Sequence, residues 1–176
     1  MRFVDFLKTT VLLSGGAATV LGAVTVLGAA AHSSEQLVPI ALGWWAVAAV
    51  VGVLMSRRAE INPPIARLLA SARSSTALPE QHPGAIVLNR LWPLLVFTLV
   101  TGGLAFLAPQ VPGIAAGFAI IWSLAWRRQD AAVAAIEERD GATFFVRSTS
   151  PFRPIALVRT PGFRALRPER VNGAVR

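Results

Sequence analysis

Three stretches of this 176-residue chain carry no charged side chain: residues 9–31, 37–55 and 91–126. About 20 consecutive apolar residues suffice to cross a hydrocarbon core of about 30 Å. Each stretch is therefore long enough to lie in a bilayer, and the last is long enough for two passes. A helix on the surface of a soluble domain shows a polar stripe, and these runs show none. The composition agrees, with 54% hydrophobic and 15% charged residues, where soluble domains carry about 25% charged. The expected fold class is an all-α integral membrane protein with four transmembrane helices and a small cytoplasmic C-terminal helix and β-hairpin.

The spans are expected over residues 10–30, 37–55, 91–107 and 113–126, which makes residues 1–126 a transmembrane four-helix region. The fourth has about 14 apolar residues, near 21 Å at about 1.5 Å per residue, which is short for a crossing. It starts near Val111, or lets Arg127 and Arg128 snorkel outward, or residues 91–126 form a partly re-entrant hairpin. Residues 1–31 also fit a secretory signal, with a basic start, an apolar run and three alanines before His32. The run from Val11 to Gly28 has 18 residues, whereas signal cores have about 7–15, so retention is the expectation.

Basic residues flanking spans mark the cytoplasmic side. Arg2 and Lys8 precede the first span, and five arginines lie in the 56–90 loop. Ten more lie from Arg127 onward. The connections His32 to Gln36 and Ala108 to Pro112 hold no basic residue. The expected topology is thus a multi-pass inner (plasma) membrane protein with both termini cytoplasmic and with Trp92 and Trp126 at the inner boundary. Arginine outnumbers lysine sixteen to one, which with the alanine content points to a GC-rich bacterial genome. The net charge of +8 is accounted for by topogenesis and anionic lipid before nucleic acid is invoked.

Lipid supplies no hydrophobic drive between helices, so close approach falls to small residues. Ser14, Ala18 and Gly22 form such a ridge on the first span, Gly102 lies on the third, and Gly113 and Gly117 make a GxxxG pair on the fourth. These are the expected helix-packing positions, either inside one bundle or between copies.

In the 56–90 loop, Ile65, Leu68, Leu69 and Ala72 recur at helical spacing after Pro63 and Pro64, predicting an interfacial helix over about 64–73. Arg67 and Arg73 would point to headgroups. The basic tail, residues 127–176, is expected to be a helix over 127–140 stopped by Gly141, a hairpin over 142–159 and a disordered end over 163–176. Phe144, Phe145, Phe152 and Phe163 interleave there with Arg147, Arg153, Arg159 and Arg164, a mixture suited to anionic lipid or an acidic partner.

Chemistry-bearing patterns are missing. There is no cysteine, neither histidine has a partner at metal spacing, and no phosphate loop or nucleophile motif occurs. No ionisable residue sits within an apolar run, which disfavours a pump or coupled transporter. The expected role is non-catalytic and cofactor-free: an accessory or scaffolding subunit, or a homo-oligomer, docked through its basic tail on anionic inner-leaflet lipid or another membrane protein. A passive channel or small-solute facilitator is the first rival, and a membrane-embedded lipid-processing enzyme the second.

Overall fold

The computed structural model describes residues 1–57, 63–74, 82–147 and 155–161. The expectations placed on Phe152, Arg153, Phe163 and Arg164 lie outside the described residues. The chain is mostly helical. Its elements are α1 (Phe3–Ala31), α2 (Leu37–Ser56), α3 (Pro63–Ala70), β1 (Arg73–Ser74), α4 (Pro83–Gly103, followed by a 3₁₀ turn Leu104–Phe106), α5 (Gln110–Trp126), α6 (Gln129–Asp140), β2 (Ala142–Arg147) and β3 (Ala156–Pro161). Three helical segments are long and apolar enough to cross a membrane: Phe3–Ala31, Leu37–Ser56 and Pro83–Phe106. With 17 residues, or about 25 Å, α5 is shorter than the hydrocarbon core.

Both long flanking helices start earlier than the charge-free runs imply, for one physical reason. At 29 residues, or about 43 Å, α1 exceeds a bilayer core, and its first turns bury Phe3, Val4, Phe6 and Leu7 in protein. Likewise α4 begins at Pro83 rather than near Leu91, because Ile86 joins the same protein core. In both helices the added turns carry charge on one side and pack on the other, so the charge-free runs stop short of them.

At its far end α1 closes with a paired-carbonyl stop. The Ser34 N–H donates to the Ala29 carbonyl and the Ser33 N–H to the Ala30 carbonyl, with Ser33 in the left-handed region at φ 51°. That is the Schellman arrangement, made here without glycine.

Among the apolar helices α5 is central, lying between α1 and α2. Its buried residues are Pro112, Gly113, Ala115, Ala116, Gly117 and Ala125. The facing side of α2 buries Ala41, Ala48, Gly52 and Ser56. Small side chains on both helices let the backbones approach. A β-carbon on Gly52 would fall 2.8 Å from the Leu124 Cβ and 3.2 Å from the Ile121 carbonyl oxygen. One on Gly117 would overlap the Trp44 indole, and one on Gly113 would sit 3.1 Å from the Thr25 methyl of α1.

Two indoles of α2 hydrogen-bond to the α5 backbone, that of Trp44 lying in the space beside Gly117. Trp45 donates through Nε1 to the Gly113 carbonyl at 2.8 Å, and Trp44 donates to the Ile114 carbonyl at 3.2 Å. Ser123 of α5 donates to the Val11 carbonyl of α1 at 3.2 Å. The outward surface is lipid-like, with Leu12, Leu27, Ile40, Leu99 and Phe106 all exposed.

The small sheet has order β1-β3-β2. β2 and β3 pair antiparallel with Phe144 opposite Arg159, and β1 joins β3 in parallel with Arg73 opposite Val158. Arg73, expected in an interfacial helix, is therefore a strand residue, since α3 ends at Ala70.

The alanine variants Gly52→Ala and Gly117→Ala are expected to lower the thermal unfolding midpoint in detergent, each costing about 1–3 kcal/mol by overpacking. Gly16→Ala and Gly102→Ala, where a β-carbon meets nothing within 4 Å, are expected to leave the midpoint unchanged. Indifference at Gly52 and Gly117 would remove the close α2–α5 approach.

Candidate functional site: a basic α/β head

Alanine and glutamate in Gln129–Asp140 favour helix, and Gly141 stops α6 by adopting φ 58°, a conformation glycine takes without strain. That turn sends the chain straight into β2 and sets Glu137, one helical turn back, beside the new strand. The Glu137 side chain is only 6% exposed. Its Oε1 accepts the Phe144 N–H at 2.8 Å, and its Oε2 accepts Arg2 Nη2 at 2.8 Å. The Arg2 guanidinium, hydrogen-bonded to this carboxylate and attracted by its charge, has its pKa pushed above the usual arginine value.

The Val146 N–H donates to the Met1 carbonyl at 3.0 Å, and Arg2 forms a bridge with Phe145. The edge of β2 facing away from β3 is thus closed by a carboxylate and by the residues just before α1. Free edges invite pairing with other chains. A lone two-stranded hairpin is also marginal, and this one rests on a shared core. Phe3, Val4, Phe6, Leu7, Ile65, Ile86, Val133, Phe144, Val146 and Leu157 form one buried cluster, with Leu68, Leu69, Ala72, Leu91 and Trp126 packed against it.

This core takes up residues expected elsewhere. Ile65, Leu68, Leu69 and Ala72, the apolar face of the expected interfacial helix, pack in the protein core. Phe144, expected on a binding surface, is 3% exposed, because alternate residues of β2 (Ala142, Phe144, Val146) point inward. Phe145 is half-buried, whereas Arg67, Arg73, Arg147 and Arg159 are exposed. Asp140 takes a 2.9 Å ion pair from Arg139, which holds its carboxyl below the usual range. A cavity of about 500 Å³ opens between α3, α6 and the sheet, lined by Leu69, Ile136, Arg139, Asp140, Phe144 and Arg159 among others. Among the described residues no group of three or more His, Asp or Glu side chains could hold a metal ion.

The expected packing positions divide. Gly113 and Gly117 lie at the centre of the bundle. Ser14 is buried, with its hydroxyl donating to the Thr10 carbonyl of its own helix. Ala18 and Gly22 line an apolar groove of about 590 Å³ between α1, α2 and α5, with Trp45 nearest Gly22. Gly102 faces open space. Outside the expected positions lie the α2 row Ala48, Gly52 and Ser56 and the burial of Glu137, whose residue type suggests only an arginine partner on a solvated helix face. The row has the signal of small residues at four-residue spacing, whereas Glu137 carries no local signal that separates it from Glu138.

Glu137→Ala is expected to cost about 1–3 kcal/mol, because it leaves the buried Phe144 N–H without an acceptor. Glu137→Gln keeps an acceptor and should cost less, since the lost charge partner Arg2 is half in solvent. Chemical denaturation in detergent followed by near-ultraviolet circular dichroism would report both, and an alanine variant as stable as the parent would remove Glu137 from this role.

Comparison of the chain with protein-family models, with curated proteins and with solved structures finds no match.

Proposed function

We propose that this chain is a small non-catalytic protein of the bacterial inner membrane that crosses four times with both termini in the cytoplasm. In this reading it serves as an accessory or scaffolding subunit, or as a homo-oligomer, and its basic head docks on the anionic inner leaflet. The observation that carries the reading is a charge asymmetry on the head. Arg67, Arg73, Arg147 and Arg159 are exposed, while two of the nearby carboxylates, Glu137 and Asp140, are already occupied by Arg2 and Arg139. The positive surface is fixed on a packed core beside the ends of apolar helices, which suits a charged lipid surface within a few ångströms.

Four crossings are supported by the position of α5. It packs between two helices that each have the length and hydropathy of a span, and it still exposes Ile114, Phe118 and Trp122. Its shortfall of about 5 Å against the hydrocarbon core is within what snorkelling of Arg127 and Arg128 and local thinning accommodate. The connection after α1 and the one before α5 lack basic residues and fall on the outer side. The basic segments fall inside.

Because the chain has no cysteine, single-cysteine labelling tests the topology directly. A membrane-impermeant maleimide should label Ser34→Cys and Gln110→Cys in intact cells, and Ala66→Cys and Arg147→Cys only after permeabilisation; the reverse pattern would overturn the reading. Docking is read by a nitroxide at Ala66→Cys in nanodiscs. The label should lie closer to an anionic bilayer than to a zwitterionic one. The difference should vanish at about 1 M salt, where the Debye length is about 3 Å, and in the combined variant Arg67→Gln, Arg73→Gln, Arg147→Gln, Arg159→Gln. No difference between lipids would end the docking proposal.

A further inference from the structure

A second basic site lies away from the face of the head. Where α2 ends and α5 passes into α6, a cavity of about 250 Å³ is lined by Val53, Ser56, Arg57, Leu124, Arg127 and Arg128. Three guanidinium-bearing residues thus converge on one recess, and no carboxylate lines it. The ion pairs among the described residues are Arg2–Glu137 and Arg139–Asp140, so none of the three arginines is neutralised by a described acid. Ser56, also lining it, is buried. On one side the recess is bounded by Val53 and Leu124, and Val53 and Leu54 are exposed to the surroundings of the bundle. The site therefore joins a cluster of cations to an apolar flank at the end of two helices.

We propose that this recess holds the phosphate headgroup of one anionic phospholipid, with Arg57, Arg127 and Arg128 on the phosphate, Ser56 donating to it and the acyl chains running along Val53 and Leu124. The assignment rests on the membrane placement argued above and adds a specific lipid to it. A planar guanidinium matches phosphate oxygens in a way a point charge does not. The choice of lipid over a soluble phosphate follows from the apolar flank, which a free anion leaves unused.

The test uses the full chain, purified in mild detergent and examined by native mass spectrometry with phosphatidylglycerol, with phosphatidylcholine and with inorganic phosphate. One phosphatidylglycerol should remain bound through detergent exchange, with phosphatidylcholine retained far less and millimolar phosphate failing to displace the lipid. Arg57→Gln, Arg127→Gln and Arg128→Gln should each weaken retention about fivefold, and the combined variant about a hundredfold, from about 1 kcal/mol per basic residue. The single variants, checked for an unchanged melting midpoint, keep the test valid if the combined variant does not fold. The combined head variant Arg67→Gln, Arg73→Gln, Arg147→Gln, Arg159→Gln should retain the lipid as the parent does.

Equal retention of both lipids, or a flat response across the three single variants, would overturn the assignment. Displacement by inorganic phosphate would make the ligand a soluble anion and overturn it as well. Retention in detergent does not depend on which way the chain faces. Loss of the lipid site and failure of the cysteine topology are therefore separate results.

Discussion

The Glu137 carboxylate joins the two parts of this protein. One oxygen accepts a main-chain N–H from β2 and the other accepts the Arg2 guanidinium, so a single side chain ties α6, the edge of the sheet and the start of α1. A carboxylate that is 6% exposed is costly to desolvate unless its lone pairs are engaged, and here both oxygens are. The neighbouring Val146 N–H repeats the arrangement with the Met1 carbonyl. As a result the sheet is an extension of the first long helix and not a separate appendage. The hydrophobic cluster of Phe3, Phe6, Leu7, Phe144 and Leu157 can then form across segments far apart in sequence.

The apolar bundle is organised by the opposite strategy, the removal of side chains. Gly52, Gly113 and Gly117 carry no β-carbon where one would meet a neighbouring helix or an indole; Trp44 occupies the space beside Gly117, and Trp44 and Trp45 both donate hydrogen bonds to α5 carbonyls. Such bonds contribute on the order of 0.6 kcal/mol each in membrane helices, so their main effect is on register. Two indoles reading adjacent carbonyls fix how far α2 can slide along α5. Trp126 then marks the junction of the two regimes, stacked on Trp122 at 5.4 Å on the bundle side and packed on the head core on the other.

How much of this the chain announces depends on the range of the signal. The predominance of helix, three long apolar segments and a small sheet follow from charge-free runs and from the Phe-Phe-Val composition of β2, both of which are local. The stop of α6 at Gly141 is likewise a one-residue signal with a one-residue cause. What the sequence does not display is pairing at a distance. The first turns of α1 read as a charged flank because Asp5 and Lys8 interrupt them, yet their phenylalanines are core residues of a sheet more than 130 positions later. The face Ile65, Leu68, Leu69 and Ala72 has the right periodicity for either lipid or protein, and only the presence of β3 beside α3 decides for protein. Gly102 and Gly113 look alike as residues. They differ in what stands opposite.

The bridge between Arg2 and Phe145 also has a temporal side. During synthesis Phe3, Phe6 and Leu7 are made long before the strand that covers them, which is complete only at residue 147, and before the rest of its sheet, complete only at residue 161. Contacts of such sequence separation form slowly, because the intervening loop must close first. Until then these aromatic side chains lack their native cover. The assembling polypeptide carries an unsatisfied greasy patch until β2 and β3 arrive.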